Sequence, residues 1–336
     1  MSFFEGTVVR NFHIAMSGAN DFVEIEKRAA RMERPRHSVP ILARRLGAKL
    51  YQTNLDASPY SSSDKLRSRL LGSPQGWSLA RAMAPQLGPN DVIFCLDTEV
   101  GVPIAAMLRG KPDRPKLVVY LHNLDRPRGW LGTKLFGIAD SVDLFTSCCS
   151  SQLEFVRDRF NVGEDRTLLL LQHVDNKFYT RGQPTASKRR PLIASVGLER
   201  RDYVTLAAAV KDLDADVRVD AWSPNARKMA KTFPSVLPPN MEYCTGTPAE
   251  LVQLYRNADV VVVSTFPNKY AGLTTLVEAL ACARPVVASR TVGLADYPAS
   301  QRDYDGEAVR RQGHAGRNYL VARKSGKRDG SGSAGL

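Results

Sequence analysis

Runs of β-branched and apolar residues recur along this chain, and each is followed by a segment of helical period. "DVIFCLD" (91–97) leads into "TEVGVPIAAMLRG", and "KLVVYLHN" (116–123) leads into "LGTKLFGIADSV". "DLFTSCCS" (143–150) leads into "SQLEFVRDRF", whose expected N-cap is Ser150 or Ser151. "RTLLLLQHV" (166–174) reads as a further strand. Strands that are apolar at successive positions are buried on both faces, as in a parallel sheet covered by helices. This alternation narrows the fold to open α/β sheets built from βαβ units.

The rhythm breaks at "DNKFYTRGQPTASKRR" (175–190), which is polar, contains Gly and Pro, and ends in a basic cluster. It then restarts with "PLIASVG" (191–197), "YVTLAAAVKDL", "DVRVDAWS", "MEYCTG" (241–246), "PAELVQLYRNA" and "DVVVVSTF" (259–266). The expectation is two consecutive Rossmann-like βαβ domains, residues 1–178 and 179–322. A Gly/Ser-rich tail (323–336) with the composition of a disordered segment follows. In such folds ligands gather at the carboxyl ends of the strands, so a cleft between the domains is the expected site. Near the start, "RNFHIAM" reads as the first strand, and "SVPILARRLGA" as a helix leading to "KLYQT". Residues 54–77 read as loop-rich and basic.

No run of about 18 apolar residues is present, and the first residues lack a basic segment followed by an apolar core. The five cysteines are odd in number and lack CxxC spacing, which points to free thiols in a reducing, cytoplasmic compartment and away from a zinc site. With 47 Lys+Arg against 34 Asp+Glu, the formal charge of +13 favours anionic partners. No helix-turn-helix or RNA-binding signature accompanies that charge, and the basic residues lack interleaved aromatics. Phosphate-rich ligands or a lipid surface are therefore preferred to nucleic acid. "DLDAD" (212–216) matches a metal-binding Asp-x-Asp by letters only and reads as a helix-to-strand turn. No G-x-S-x-G elbow or P-loop lysine is present.

Chemistry concentrates in "YAGLTTLVEALACARPVVAS" (270–289). A strand and loop lead to Gly272 and a helix opened by Thr274 and Thr275. Free amides and the helix dipole there favour an anion. Glu278, one turn in, is an acid inside an otherwise apolar helix, and a carboxylate can accept from the two vicinal hydroxyls of a ribose.

This segment resembles the donor-binding region of retaining, nucleotide-sugar-dependent glycosyltransferases of the GT-B fold (family 4 type). Four further segments agree in order: "KLVVYLHN", "LLLLQHVDNKFY" (168–179), "ASVGLERRDYVTLAAAV" (194–210) and "NMEYCTGTPAELVQLYRNADVVVVST" (240–265). The resemblance implies two Rossmann-like domains facing a cleft. It implies transfer of a hexose from a nucleotide-diphosphate sugar to an acceptor hydroxyl with retention, without metal or other cofactor. Arg200, Arg201, Gly272, Thr274 and Thr275 would bind the donor diphosphate. Glu278 would hold the ribose, Thr245, Gly246 and Thr247 would frame the base, and His122 would face the transferred sugar.

The acceptor is expected to be a carbohydrate or lipid-linked molecule of polysaccharide or glycolipid synthesis. Arg34, Arg36, Arg44, Arg45, Arg126 and Arg128 in the first domain are candidates for docking it, or for a peripheral contact with the inner face of a membrane.

Two departures from the family pattern support a second reading. The family pairs glutamates eight positions apart, and Tyr270 stands eight before Glu278. The closing helices of the family are not recognisable after "GRNYLV" (316–321), as expected of a truncated chain or one closed by a partner. Both fit a non-catalytic, transferase-like subunit that binds a nucleotide sugar or a partner.

Overall fold

The computed structural model describes residues 10–122, 124–125, 127–183, 188–223, 226, 228–297 and 319–322. The chain forms two compact units, Met1–Arg31 with Arg36–Leu171, and Met32–Pro35 with Gln172–Leu336.

The first unit holds β1 (Asn11–Met16), β2 (Lys49–Gln52), β3 (Asp91–Cys95), β4 (Lys116–Tyr120), β5 (Leu144–Ser147) and β6 (Thr167–Leu169). They pair in the order β2-β1-β3-β4-β5-β6, every pair parallel. Ile14, Ile93, Leu117, Val119 and Phe145 in these strands are fully buried. The helices Pro74–Met83 and Thr98–Leu108 add Leu79, Val100 and Ile104 to the same core. The sheet order reverses between β1 and β3, and Asp97 ties their carboxyl ends together. Its Oδ2 accepts from the Ser17 amide and hydroxyl, both at 2.9 Å, while Oδ1 caps the following helix at the Val100 amide.

The second unit holds β7 (Leu192–Val196), β8 (Asp216–Asp220), β9 (Met241–Cys244), β10 (Val260–Val263), β11 (Val286–Ser289) and β12 (Tyr319–Ala322). The order is β12-β11-β10-β7-β8-β9, parallel except for β11 with β12. Counted within the unit this is the Rossmann order 3-2-1-4-5-6, whose reversal between the first and fourth strands opens a crevice at their carboxyl ends. Here those strands are β7 and β10.

Residues 54–77 are more regular than their composition suggests. Helices form at Ser62–Ser68 and from Pro74 onward. Ser61 and Asp64 make a reciprocal capping box, and Ser73 caps a helix with Pro74 in its first turn, so the polar residues are helix starts. The helix Ser150–Phe160 is preceded by Cys149 as N-cap, with no side-chain cap from either serine. β6 is an edge strand, and Leu168 to Leu171 are 38–52 % exposed, where the apolar run suggested burial. Cys95, Cys148, Cys149, Cys244 and Cys282 are all free thiols, and all but Cys244 are buried. No helix among the described residues is long and apolar enough to cross a membrane. The tail at 323–336 and Arg126 lie outside the described residues.

Candidate functional site

The switch point of the second sheet is built around a buried arginine. β7 ends at Val196 and runs into Gly197, whose φ of +98° places it in the region favouring glycine. The chain turns back at Arg200, itself at φ 53°, and Arg201 re-enters to bridge Thr265 just beyond β10. Arg201 is 4 % exposed. Its Nε donates to the Val196 carbonyl at 2.8 Å, Nη1 to the Glu199 carbonyl at 3.2 Å, and Nη2 to Thr275 Oγ1 at 2.8 Å. Thr275 in turn donates to the Val196 carbonyl at 3.2 Å. A guanidinium has five N–H groups, so two remain beyond these three.

Gly197 makes room for that guanidinium, and Gly272 makes room for Val263 beside it. A Cβ on Gly197 would lie 2.6 Å from Arg201 Nη2. A Cβ on Gly272, also at φ +98°, would lie 2.7 Å from Val263 Cγ1 and 3.7 Å from Arg201 Nη1. Gly272 begins the helix Leu273–Ala281 with no side-chain cap. The fixed charge of Arg201 therefore stands beside the positive end of a helix dipole. Asn268 shapes the approach loop, accepting from the Ala271 amide at 2.6 Å and donating to the Phe266 carbonyl at 2.7 Å. Thr265 Oγ1 is buried with no hydrogen-bond partner among the described residues.

Glu278 lies on the same helix and is 9 % exposed. Its Oε2 accepts from the Tyr255 hydroxyl at 2.8 Å, and Tyr179 also donates to the carboxyl. Burial pushes the Glu278 pKa up to about 6, against the opposing pull of Tyr179, Tyr255 and the Arg201 charge. Burial, reinforced by that carboxylate, raises the hydroxyl pKa values of Tyr255 and Tyr179.

The structure thus gathers Arg201, Gly272, Thr275 and Glu278 at one sheet end, and it separates the two threonines. Thr275 is buried and used by Arg201, while Thr274 is exposed at the helix start. Arg200 is exposed beside its buried neighbour. Thr245, Gly246 and Thr247 follow β9, two strands from β7. Thr247 caps the helix Pro248–Asn257 in a capping box with Glu250. The Gly246 and Trp222 amides donate to Asp220, whose pKa burial raises. In the first unit His122 is exposed just past β4, its ring 4.9 Å from that of Tyr120, and its carbonyl accepts from Thr98 at 3.2 Å. Tyr270 is half-buried in the approach loop. Arg44 is ion-paired with Glu26 at 2.6 Å. Reading the sequence for ligand contacts passed over Gly197, Thr265, Tyr179 and Tyr255, which shape the site from beneath. A glycine closing a β-branched run was the one available signal, for Gly197.

Known proteins share a segment of this sequence and its fold. Residues 193–313 match the family model described as glycosyl transferases group 1. No curated protein matches the sequence. An apo structure of OtsA superposes with a TM-score of 0.58 at 14% identity, covering 85% of this chain and 86% of that one. A structure described as trehalose-6-phosphate from E. coli bound with UDP-2-fluoro glucose gives 0.57 at 14% identity, covering 84% and 85%. The apo lipopolysaccharide outer core galactosyltransferase WaaB gives 0.52 at 12% identity, covering 82% and 80%. The second unit thus contains the segment that matches the glycosyl transferases group 1 model, and the chain has the two Rossmann-like domains of the GT-B fold.

Proposed function

We propose that the protein transfers a hexose from a nucleotide-diphosphate sugar to an acceptor hydroxyl with retention, in polysaccharide or glycolipid synthesis. The observation that carries this reading is the Arg201 guanidinium, enclosed by Gly197 and Gly272 and hydrogen-bonded to Thr275 at the start of an uncapped helix. A diphosphate seated there meets first-turn amides, the Thr274 hydroxyl and the exposed Arg200. The buried Arg201 charge favours the same anion through a poorly screened interior. As the bond to the sugar breaks, negative charge grows on the diphosphate, and these fixed groups offset it without metal or other cofactor. Glu278 keeps acceptor capacity beyond its tyrosine bonds for the ribose hydroxyls. The Thr245–Thr247 loop borders the base, and His122 serves the transferred sugar. The domains are taken as 1–178 on the acceptor side and 179–322 on the donor side. The five free thiols support a reducing, cytoplasmic setting.

The test is to incubate the protein with UDP-, GDP- and TDP-linked hexoses, measure nucleoside diphosphate release, and read the anomeric configuration of the released sugar. Release of a sugar with the donor's configuration is expected. Binding of none of these donors would overturn the donor site. Tyr270, where the family has an acid, favours a second reading as a binding subunit, and tight donor binding without turnover would select it.

A further inference from the structure

Two tyrosines outside the diphosphate site converge on Glu278 from separate segments of the second unit. Tyr255 belongs to the helix Pro248–Asn257 and is fully buried. Tyr179 is buried in the segment that follows β6 into this unit. Their rings lie 6.2 Å apart at 67°. Both hydroxyls donate to the carboxyl, that of Tyr255 to Oε2 at 2.8 Å. The segment holding Tyr179 is fastened by the residue next to Tyr255. Arg256 donates from Nε to the Thr180 carbonyl at 3.1 Å and from Nη2 to Thr180 Oγ1 at 2.6 Å. Gly182 leaves room for that guanidinium, since a Cβ there would lie 2.5 Å from Arg256 Nε.

The hydrogen-bonding capacity of the carboxyl gives these tyrosines a role. An ionised carboxyl has about four acceptor sites and no donor. The two phenols occupy two of them and leave two, which the vicinal hydroxyls of a ribose fill as donors. Protonation turns one oxygen into a donor that opposes both the phenols and the incoming hydroxyls. The phenols stay donors, because burial, reinforced by the carboxylate, raises both of their pKa values. Burial brings the Glu278 pKa up to about 6, with Tyr179, Tyr255 and Arg201 pulling toward the ionised form. Burial likewise pushes the adjacent Cys282 thiol up to about 11. Arg256 and Arg284 act on that thiol with the permanent charge of a guanidinium, and Asp175 acts on Tyr179 from its own segment.

We infer that Tyr179 and Tyr255 are positioning residues that hold Glu278 ionised and oriented for a ribose at neutral pH, so that protonation of this one carboxyl switches donor affinity. The inference rests on the proposed nucleotide-sugar site and adds its regulation by pH.

The experiment is calorimetry on the full chain with UDP-glucose and GDP-mannose from about pH 5 to 8.5, a range over which the diphosphate diester of these donors keeps its charge. For the donor that binds, affinity should follow the ionised fraction of Glu278, rising about tenfold from pH 5 to a neutral plateau. Tyr255→Phe keeps the ring and removes one donor to the carboxylate. Its profile should move up by about one pH unit, leaving affinity about fivefold below wild type at pH 6 and within about twofold of it at pH 8.5. Tyr179→Phe should move the profile the same way, and it carries the test if the more enclosed Tyr255→Phe fails to fold. With glutamate side-chain carboxyls labelled with carbon-13, the NMR signal missing from Glu278→Gln should show the same upward shift of its titration without donor. Wild-type affinity that is constant across the range would overturn the inference and leave the donor site standing. So would a Phe variant weakened by one factor at every pH, or a carboxyl titration unmoved in the variants. Binding of neither donor at any pH would overturn the proposed donor site and this inference with it, an outcome distinct from binding that ignores pH.

Discussion

Replacing Glu278 with glutamine separates the electrostatic cost of this side chain from its proposed use. The carboxyl titrates at about 6 in the native protein, against 4.5 for a free glutamate, chiefly because it is buried. Between those values the native chain holds a proton that the unfolded chain has released. Stability therefore falls as pH rises through this window. At ~1.4 kcal/mol per pH unit, the gap corresponds to about 2 kcal/mol. This cost is essentially absent below about pH 4 and fully present above about pH 7. Glutamine keeps the shape and an oxygen to accept from Tyr255, but it does not titrate. Urea denaturation across this range, with equal m-values, should show Glu278→Gln gaining about 2 kcal/mol on the wild type between the acid and neutral ends.

The same variant should bind donor about ten- to a hundredfold more weakly at neutral pH, because a neutral amide replaces a charged acceptor for ribose hydroxyls. Stability and affinity then move in opposite directions. A stability difference between variant and wild type that stays constant with pH would refute the electrostatic reasoning. Unchanged donor affinity would refute the ribose role.

The glycines beside Arg201 should be intolerant of a methyl group. Gly197→Ala places a Cβ 2.6 Å from Arg201 Nη2 at a φ of +98°, and a loss of about 2–4 kcal/mol is expected by urea denaturation. The two adjacent arginines should respond differently. Arg201→Lys loses the fork that joins Val196, Glu199 and Thr275 and should cost about 3 kcal/mol or more in the same assay. Arg200→Ala should leave stability within about 0.5 kcal/mol while weakening donor binding measured by calorimetry. Asp64 is held below the usual carboxylate range because, although burial opposes ionisation, bonds from Ser61 and Arg81 outweigh it. Stability from Asp64 is present above the ordinary aspartate pKa and lost as pH falls through the lowered one. Asp64→Ala should flatten that acid limb and remove the Ser61 capping box, costing about 1–2 kcal/mol at neutral pH, since the half-exposed Arg81 left behind stays solvated.

What the sequence made legible follows from where period and burial coincide. β3, β4, β7 and β10 were visible because central strands of a parallel sheet are apolar on both faces, as in "VVVV" at 260–263. β6 broke the rule: its leucines carry the same letters, yet the strand lies at an edge and leaves them exposed. Composition cannot distinguish a covered strand from an edge strand, because that is decided by the order of pairing. The same limit hid the helices at 62–68 and 74–83. Their serines read as loop but serve as caps, a meaning fixed by one or two hydrogen bonds at the helix start.

In the site, the two neighbouring arginines and the two neighbouring threonines looked equivalent as letters. The turn at Gly197 makes them different by sending Arg201 inward to Thr275 and leaving Arg200 and Thr274 outside. A buried arginine whose bonds go to backbone carbonyls and a threonine is committed to holding two chain segments together. The β7–Arg201 loop and the helix start at Gly272 come from opposite sides of the sheet reversal, and Arg201 fixes their separation. Arg201 is therefore better understood as a positioning residue, whose loss should widen the crevice. Exposed Arg200 and Thr274 are the groups left free to meet a ligand.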